Sequence, residues 1–257
     1  MCHVHSRQLL THTTGLTYAQ GDPDLKRWAK HIGRNESDLQ GTLELYTMPL
    51  KFTPGQGWCY GVSLDWAGQA VEKLTGQTLG EYMAEHVFRP LGMRDTGFRR
   101  GALPHVQDRT VPTSYRDADT GELSAGDEDF SVPANPEIDS GGAGLYTTAV
   151  DFAKVLQTLL QSLAGSDNAL LKKETVEEMF RPQLAGVQKE WFNFVTDLFR
   201  IGFIPDFEKD APLDHGISGV INLKDEPGKR RKGSMKWSGV YNGHWVSRVL
   251  SFDTIQL

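Results

Sequence analysis

The chain has 257 residues, with 33 acidic against 27 basic side chains and a net charge of −6. That acidity argues against a nucleic-acid partner, which needs a basic face, and two cysteines, Cys2 and Cys59, are too few for a disulfide framework or a cysteine-rich zinc module. The sequence has no apolar run of about 18 residues to suggest a membrane span, and residues 1–7 lack the apolar stretch of a secretory signal, so a soluble, cytoplasmic protein is expected.

Residues 7–12 read as a short helix running into a turn at Thr14-Gly15, and Asp22-Pro23 opens a second helix. The proline and glycines of 52–57 mark a loop. It leads through Tyr60-Gly61 into a helix with Ser63 as its expected N-cap, Leu64, Ala67, Val71 and Leu74 on one face, and Thr75-Gly76 at its close. Residues 78–88 form another helix, stopped by Pro90. Residues 99–139 carry four prolines and an acidic cluster over 117–129, the make-up of a lid or binding loop, with a small hairpin turned by Asp119-Thr120-Gly121. A glycine-rich segment, 140–145, precedes a helix over 148–163 whose Val150, Phe152, Ala153, Leu156, Leu159 and Leu160 form an apolar stripe; a further helix lies around 174–180. β-formers then cluster at 200–204, 216–223, 234–240 and 244–252, which reads as antiparallel strands. The expected class is α+β: one domain over 1–257, mainly helical over 7–199, with strands over 200–257.

Most stock motifs fail. No Gly-x-x-x-x-Gly-Lys-Ser/Thr or Gly-x-Gly-x-x-Gly cradles a phosphate. Asp117-x-Asp119 puts Gly121 where a calcium ligand belongs, His3-x-His5 sits beside a chain terminus, and the basic run 229–232 reads as a solvated turn. Ser218 is not in a Gly-x-Ser-x-Gly elbow, since the second glycine comes one position early, and reads as a strand residue. Two segments are hard to treat as packing alone. One delivers Tyr60 just ahead of a helix, where a core aromatic bonded to a backbone carbonyl is the plainer reading. The other is Trp237-Ser238-Gly239, which by itself marks a strand bulge.

Taken in order, these segments resemble the serine β-lactamase-like superfamily, which holds class C β-lactamases, penicillin-binding proteins, family VIII esterases and fungal acyltransferases. The resemblance is carried by Leu9-Leu10-Thr11-His12-Thr13-Thr14-Gly15-Leu16, Pro54-Gly55 through Tyr60, Pro90-Leu91-Gly92-Met93, Ser140-Gly141-Gly142-x-Gly144-Leu145 and Trp237-Ser238-Gly239, and runs from about residue 7 to about 246. Tyr60-Gly61-Val62 and Trp237-Ser238-Gly239 look most like fungal polyketide transesterases of the lovastatin side-chain type. Penicillin-recognising members carry Lys-Thr-Gly in the third motif, whereas Trp237 stands here instead of the lysine. Val62 stands where β-lactamases place an Asn. Both departures imply a neutral ester or thioester rather than a β-lactam.

The resemblance implies covalent acyl transfer by a Ser-x-x-Lys pair, with Tyr60 as general base or proton relay. Trp237, Ser238, Gly239 and Val240 would then form the acyl-pocket wall, with the N–H of Val240 in the oxyanion hole. No serine of this sequence has a lysine three residues on. In the family that motif lies upstream of the Leu-Leu-Thr-His segment, so the expected fold lacks the nucleophile helix and the N-terminal strands. Two readings follow. One is an acyltransferase or esterase moving an acyl group to or from a hydrophobic polyketide-like small molecule, from an acyl-carrier-protein or CoA thioester donor, with no metal or organic cofactor. The other is a catalytically silent, truncated relative, inert or ligand-binding.

Overall fold

The computed structural model describes residues 3–34, 41–126, 136–239 and 243–247. Helices α1 (Ser6–Leu10), α2 (Pro23–His31) and α3 (Leu43–Tyr46) come first, then α4 (Ser63–Thr75) and α5 (Leu79–Met83), which runs on as a π-helical turn over Ala84–Phe88. Strands β1 (Ser114–Arg116) and β2 (Leu123–Ala125) make an exposed hairpin. Its turn is the expected one: the Asp117 carboxylate accepts from the amides of Asp119 and Thr120, and Gly121 takes φ +73°. Residues 127–135 of the expected lid lie outside the described residues. Helices α6 (Ala149–Leu163), α7 (Lys173–Met179), α8 (Val187–Leu198) and α9 (Arg200–Phe203) precede β3 (Leu213–His215), β4 (Val220–Asn222), β5 (Met235–Ser238) and β6 (His244–Ser247). These last four pair antiparallel in sequence order.

The sheet is covered on both faces. Val220 packs with Trp58, Phe192 and Leu213, toward α8, whereas its neighbour Ile221 packs with Leu159, Val176 and Phe180, toward α6 and α7. This is why β3 and β4 are buried at every position rather than alternating. The basic run after β4 is only partly solvated: Arg230 pairs with Asp206 and Glu226 and lies 4.2 Å over the Phe207 ring.

The structure corrects several expectations. Residues 200–204 are not a strand. Arg200–Phe203 is a helical turn whose Gly202 carbonyl takes the Ser238 hydroxyl at 2.9 Å, while Ile204 is drawn into the core beside Phe207. Tertiary packing outweighs local β-propensity here. Ser63 is not the cap of α4: Val62 holds that position, and the buried Ser63 hydroxyl is engaged with Thr14 at 2.8 Å. Ser218 is not in a strand but in the β3–β4 turn, at φ +96°. On α6, Val150 and Leu160 are exposed while Asp151, Thr158 and Ser162 are buried, so the helix turns a more polar face inward than its apolar stripe implies. Asp151 explains part of this: it accepts from the Asp95 amide, the Thr96 hydroxyl and Lys154. Helix α8 has no counterpart in the sequence reading, because apolar residues fall on both its sides. Phe192 is buried, whereas Trp191, Phe194 and Leu198 face outward.

Candidate active site

Tyr60 is positioned by the threonine-rich turn after α1. Thr11, His12, Thr13 and Thr14 are all buried, and backbone and hydroxyl hydrogen bonds tie this turn to the segment before α4. Thr11 donates to the Arg7 carbonyl at 2.8 Å, the amide of Gly55 reaches the Thr13 carbonyl at 2.8 Å, and the amide of Cys59 reaches the His12 carbonyl at 3.1 Å. The Thr17 hydroxyl closes the series on the Tyr60 carbonyl at 2.9 Å. Gly15 is required for this pairing. Its φ is +89°, and a Cβ there would sit 2.6 Å from the Phe52 carbonyl oxygen. A third segment braces the same place: the Asp65 carboxylate, buried on α4, accepts from the Ser140 hydroxyl at 2.5 Å and the Gly142 amide at 3.1 Å, which pins the glycine-rich 140–144 loop.

The Tyr60 ring is half-buried among aromatics: His12 at 4.8 Å, Trp237 at 5.1 Å and Tyr18 at 5.6 Å between ring centroids. Burial pushes the Tyr60 phenol up, while hydrogen bonds from Trp237 and Tyr18 work the other way and the Asp65 charge adds to the rise. Tyr18 packs edge-on against the Tyr60 ring, and its own phenol is raised well above the ordinary value, mainly by burial. Tyr18 lies two residues past the Gly15-Leu16 that ended the motif. No motif or spacing in the sequence marks it.

Of the expected site residues, Tyr60 and Trp237 are brought into contact. Ser238 is buried and directed to the Gly202 carbonyl, Gly239 is exposed and donates to the Gly243 carbonyl at 2.8 Å, and Val240 lies outside the described residues. The lysine next to Trp237 is buried too. Lys236 pairs with Asp206, where burial would raise the carboxyl, but the Lys236 and Arg230 bonds outweigh it and hold it at about 2. A groove of about 470 Å³ between α8 and β3 is lined by Lys189, Asn193, Phe194, Arg200 and Leu213 among others; neither Tyr60 nor Trp237 reaches its wall. Among the described residues, no group of three or more His, Cys, Asp or Glu side chains is placed to hold a metal ion. Burial pushes the Cys59 thiol up to about 12, which makes it an inert packing residue rather than a nucleophile. No helix among the described residues is long and apolar enough to cross a membrane.

Behind Tyr60, His12 and His215 are both buried, with centroids 5.7 Å apart. Burial lowers His12 well below its ordinary value, helped by the charge of His215. Burial also lowers His215, to about 4, against the pull of the Gly216 backbone and Asp214. In the unfolded chain both titrate near ~6.5. The native state thus binds fewer protons, so this contribution to stability is intact above about pH 6.5 and is lost as pH falls, for His215 toward about 4 at about 1.4 kcal/mol per pH unit. Urea midpoints should therefore drop between about pH 7 and about pH 5, and drop less steeply in His215→Phe; equal slopes would contradict the assignment.

A tyrosine before a helix, a tryptophan on the facing strand and helices on both faces of an antiparallel sheet are the arrangement of one class of proteins. The Beta-lactamase family model matches residues 2–244, and the chain belongs to that family. Among its relatives, the lovastatin esterase of Penicillium rubens is 31% identical over 249 residues, covering 93% of this chain and 59% of that protein. The monacolin J acid methylbutanoyltransferase of Aspergillus terreus is 32% identical over 247 residues, covering 93% and 57%. A solved structure of simvastatin synthase from Aspergillus terreus superposes with a TM-score of 0.81 at 32% identity, covering 95% of this chain and 58% of that one. The fold is thus the β-lactamase-like α+β fold that the motifs implied, and the chain spans somewhat under three fifths of the length of these relatives.

Proposed function

We propose that this chain is the tyrosine-bearing part of an acyltransferase or esterase that moves an acyl group to or from a hydrophobic, polyketide-like small molecule. The observation that carries this reading is Tyr60, set in an aromatic wall with Trp237 at 5.1 Å, Tyr18 at 5.6 Å and His12 at 4.8 Å between ring centroids. A tryptophan at the third-motif position makes that wall apolar and favours a neutral ester or thioester over an anionic substrate. The names of the relatives, an esterase and a methylbutanoyltransferase, point the same way. With a carrier-protein or CoA thioester as donor, the C–S bond of the thioester breaks and a C–O bond to the acceptor's hydroxyl forms. The proton leaves that hydroxyl for the departing thiolate, and in this reading Tyr60 hands it across. Raised by burial, the phenol keeps its own proton at neutral pH, the state of a donor; acting as a base takes a neighbouring cation.

A second reading, a ligand-binding relative that does not turn over, is favoured by one observation: no serine of the sequence has a lysine three residues on. The two part on one experiment. Protein purified from its own source is treated with a fluorophosphonate and, separately, given a short-chain acyl thioester with a hydrophobic alcohol. Covalent labelling together with ester formation supports the first reading, saturable binding of the alcohol without either supports the second, and no binding and no turnover overturns both.

A further inference from the structure

Three buried ring nitrogens behind Tyr60 have no hydrogen-bond partner within the protein: Nδ1 of His12, Nδ1 of His215 and Nε1 of Trp58. The three side chains are 3%, 1% and 0% exposed. Their rings form a nearly equilateral triangle, with centroids 5.7 Å apart for His12–His215, 5.8 Å for Trp58–His215 and 6.1 Å for His12–Trp58. Each corner belongs to a different part of the chain: the turn after α1, the loop before α4, and β3. The charged groups nearby are already committed. The Asp214 carboxylate accepts from the amides of Leu184 and His215 and pairs with Lys189.

An unpaired buried polar atom costs about 1–3 kcal/mol, and three of them on rings that touch one another can share a single partner. Their chemistry specifies it. A neutral imidazole with its proton on Nε2 offers one lone pair at Nδ1, while an indole N–H can only donate. Two acceptors and one donor complement two O–H groups and one lone pair. We propose that one internal water molecule binds among His12, His215 and Trp58, donating to both Nδ1 atoms and accepting from the Trp58 indole. Three bonds is the usual number for a buried water. The water ties together the three segments that pack around Tyr60, and so holds the ring in place from behind. Neither half of this depends on whether the chain transfers acyl groups.

The test is nuclear magnetic resonance on the intact protein labelled with ¹⁵N. Expected are protons on Nε2 and bare, hydrogen-bonded Nδ1 atoms on both histidines, and a cross-relaxation peak between the Trp58 indole proton and water with the sign of a long-lived complex. In His215→Phe, which keeps the ring volume and removes one acceptor, that peak is lost while the indole proton itself is still seen. A proton on either Nδ1 would overturn the proposal, since that nitrogen would then donate and could not accept from the water. Protons on both, with shifts that follow chloride concentration, would put an anion there instead. An indole proton with no water peak in the wild-type protein would overturn it as well.

Discussion

Tyr60→Phe is expected to lower acyl transfer by about 10²–10⁴-fold, the usual weight of a positioned proton-transfer group. The loss should fall on kcat with little change in KM, because the phenyl ring and its contacts with Trp237 and His12 remain while only the oxygen goes. The same change also takes a hydroxyl out of a largely buried aromatic cluster, which shifts stability by about 1 kcal/mol. Stability must therefore be followed in parallel by thermal unfolding, so that a rate loss in a folded protein is told apart from a loss of protein. A folded variant with a rate near wild type would remove Tyr60 from the chemistry.

The largest effect on stability should come from the next residue. A Cβ on Gly61 would stand 2.3 Å from the Thr17 Cα and 2.6 Å from the Leu16 carbonyl oxygen. These are backbone atoms, which cannot rotate aside as a side chain can. In Gly61→Ala either the 16–17 segment or the Tyr60 turn must move, and the Thr17–Tyr60 hydrogen bond of 2.9 Å goes with it. Overpacking against backbone costs about 3 kcal/mol, at the upper end of its ordinary range. For a chain of this size that is a fall of roughly 6–12 °C in Tm. Gly21→Ala is the control: nothing lies within 4 Å of its would-be Cβ, and its Tm should stay at the wild-type value. Equal midpoints for the two variants would mean that the segments do not approach so closely.

Both predictions rest on the meeting of residues 11–18 with residues 51–61, and the sequence showed this unevenly. The ends of several elements were legible because their chemistry is local. Asp22 caps α2 by accepting from the amides of Asp24 and Leu25, Thr148 caps α6 through the Asp151 amide, and Gly76 closes α4 at φ +75°. Tyr60 and Trp237 could be nominated through the order of motifs, but their contact, across 177 positions, is a property of the packed sheet. Ser63 misled because a serine before a helix looks like a cap wherever its hydroxyl is free, and here Thr14 takes it. Residues 200–204 misled because Ile201, Phe203 and Ile204 favour strands locally, while the core took Ile204 and left Ile201 89% exposed.

By itself, then, the order of residues determined the β-lactamase-like family, the α+β class, most helix boundaries and the two aromatic residues at the centre of the candidate site. These depend on short-range rules, caps, turns and period, or on motifs that survive as strings. The tertiary structure alone decided the rest. It set Tyr18 against the Tyr60 ring, buried His12 against His215, turned Ser238 to the α9 carbonyl, and placed α8 with one aromatic face inward and another outward. Each of those outcomes is a competition between distant groups for the same buried space or the same hydrogen-bond partner, and no local pattern records which of them wins.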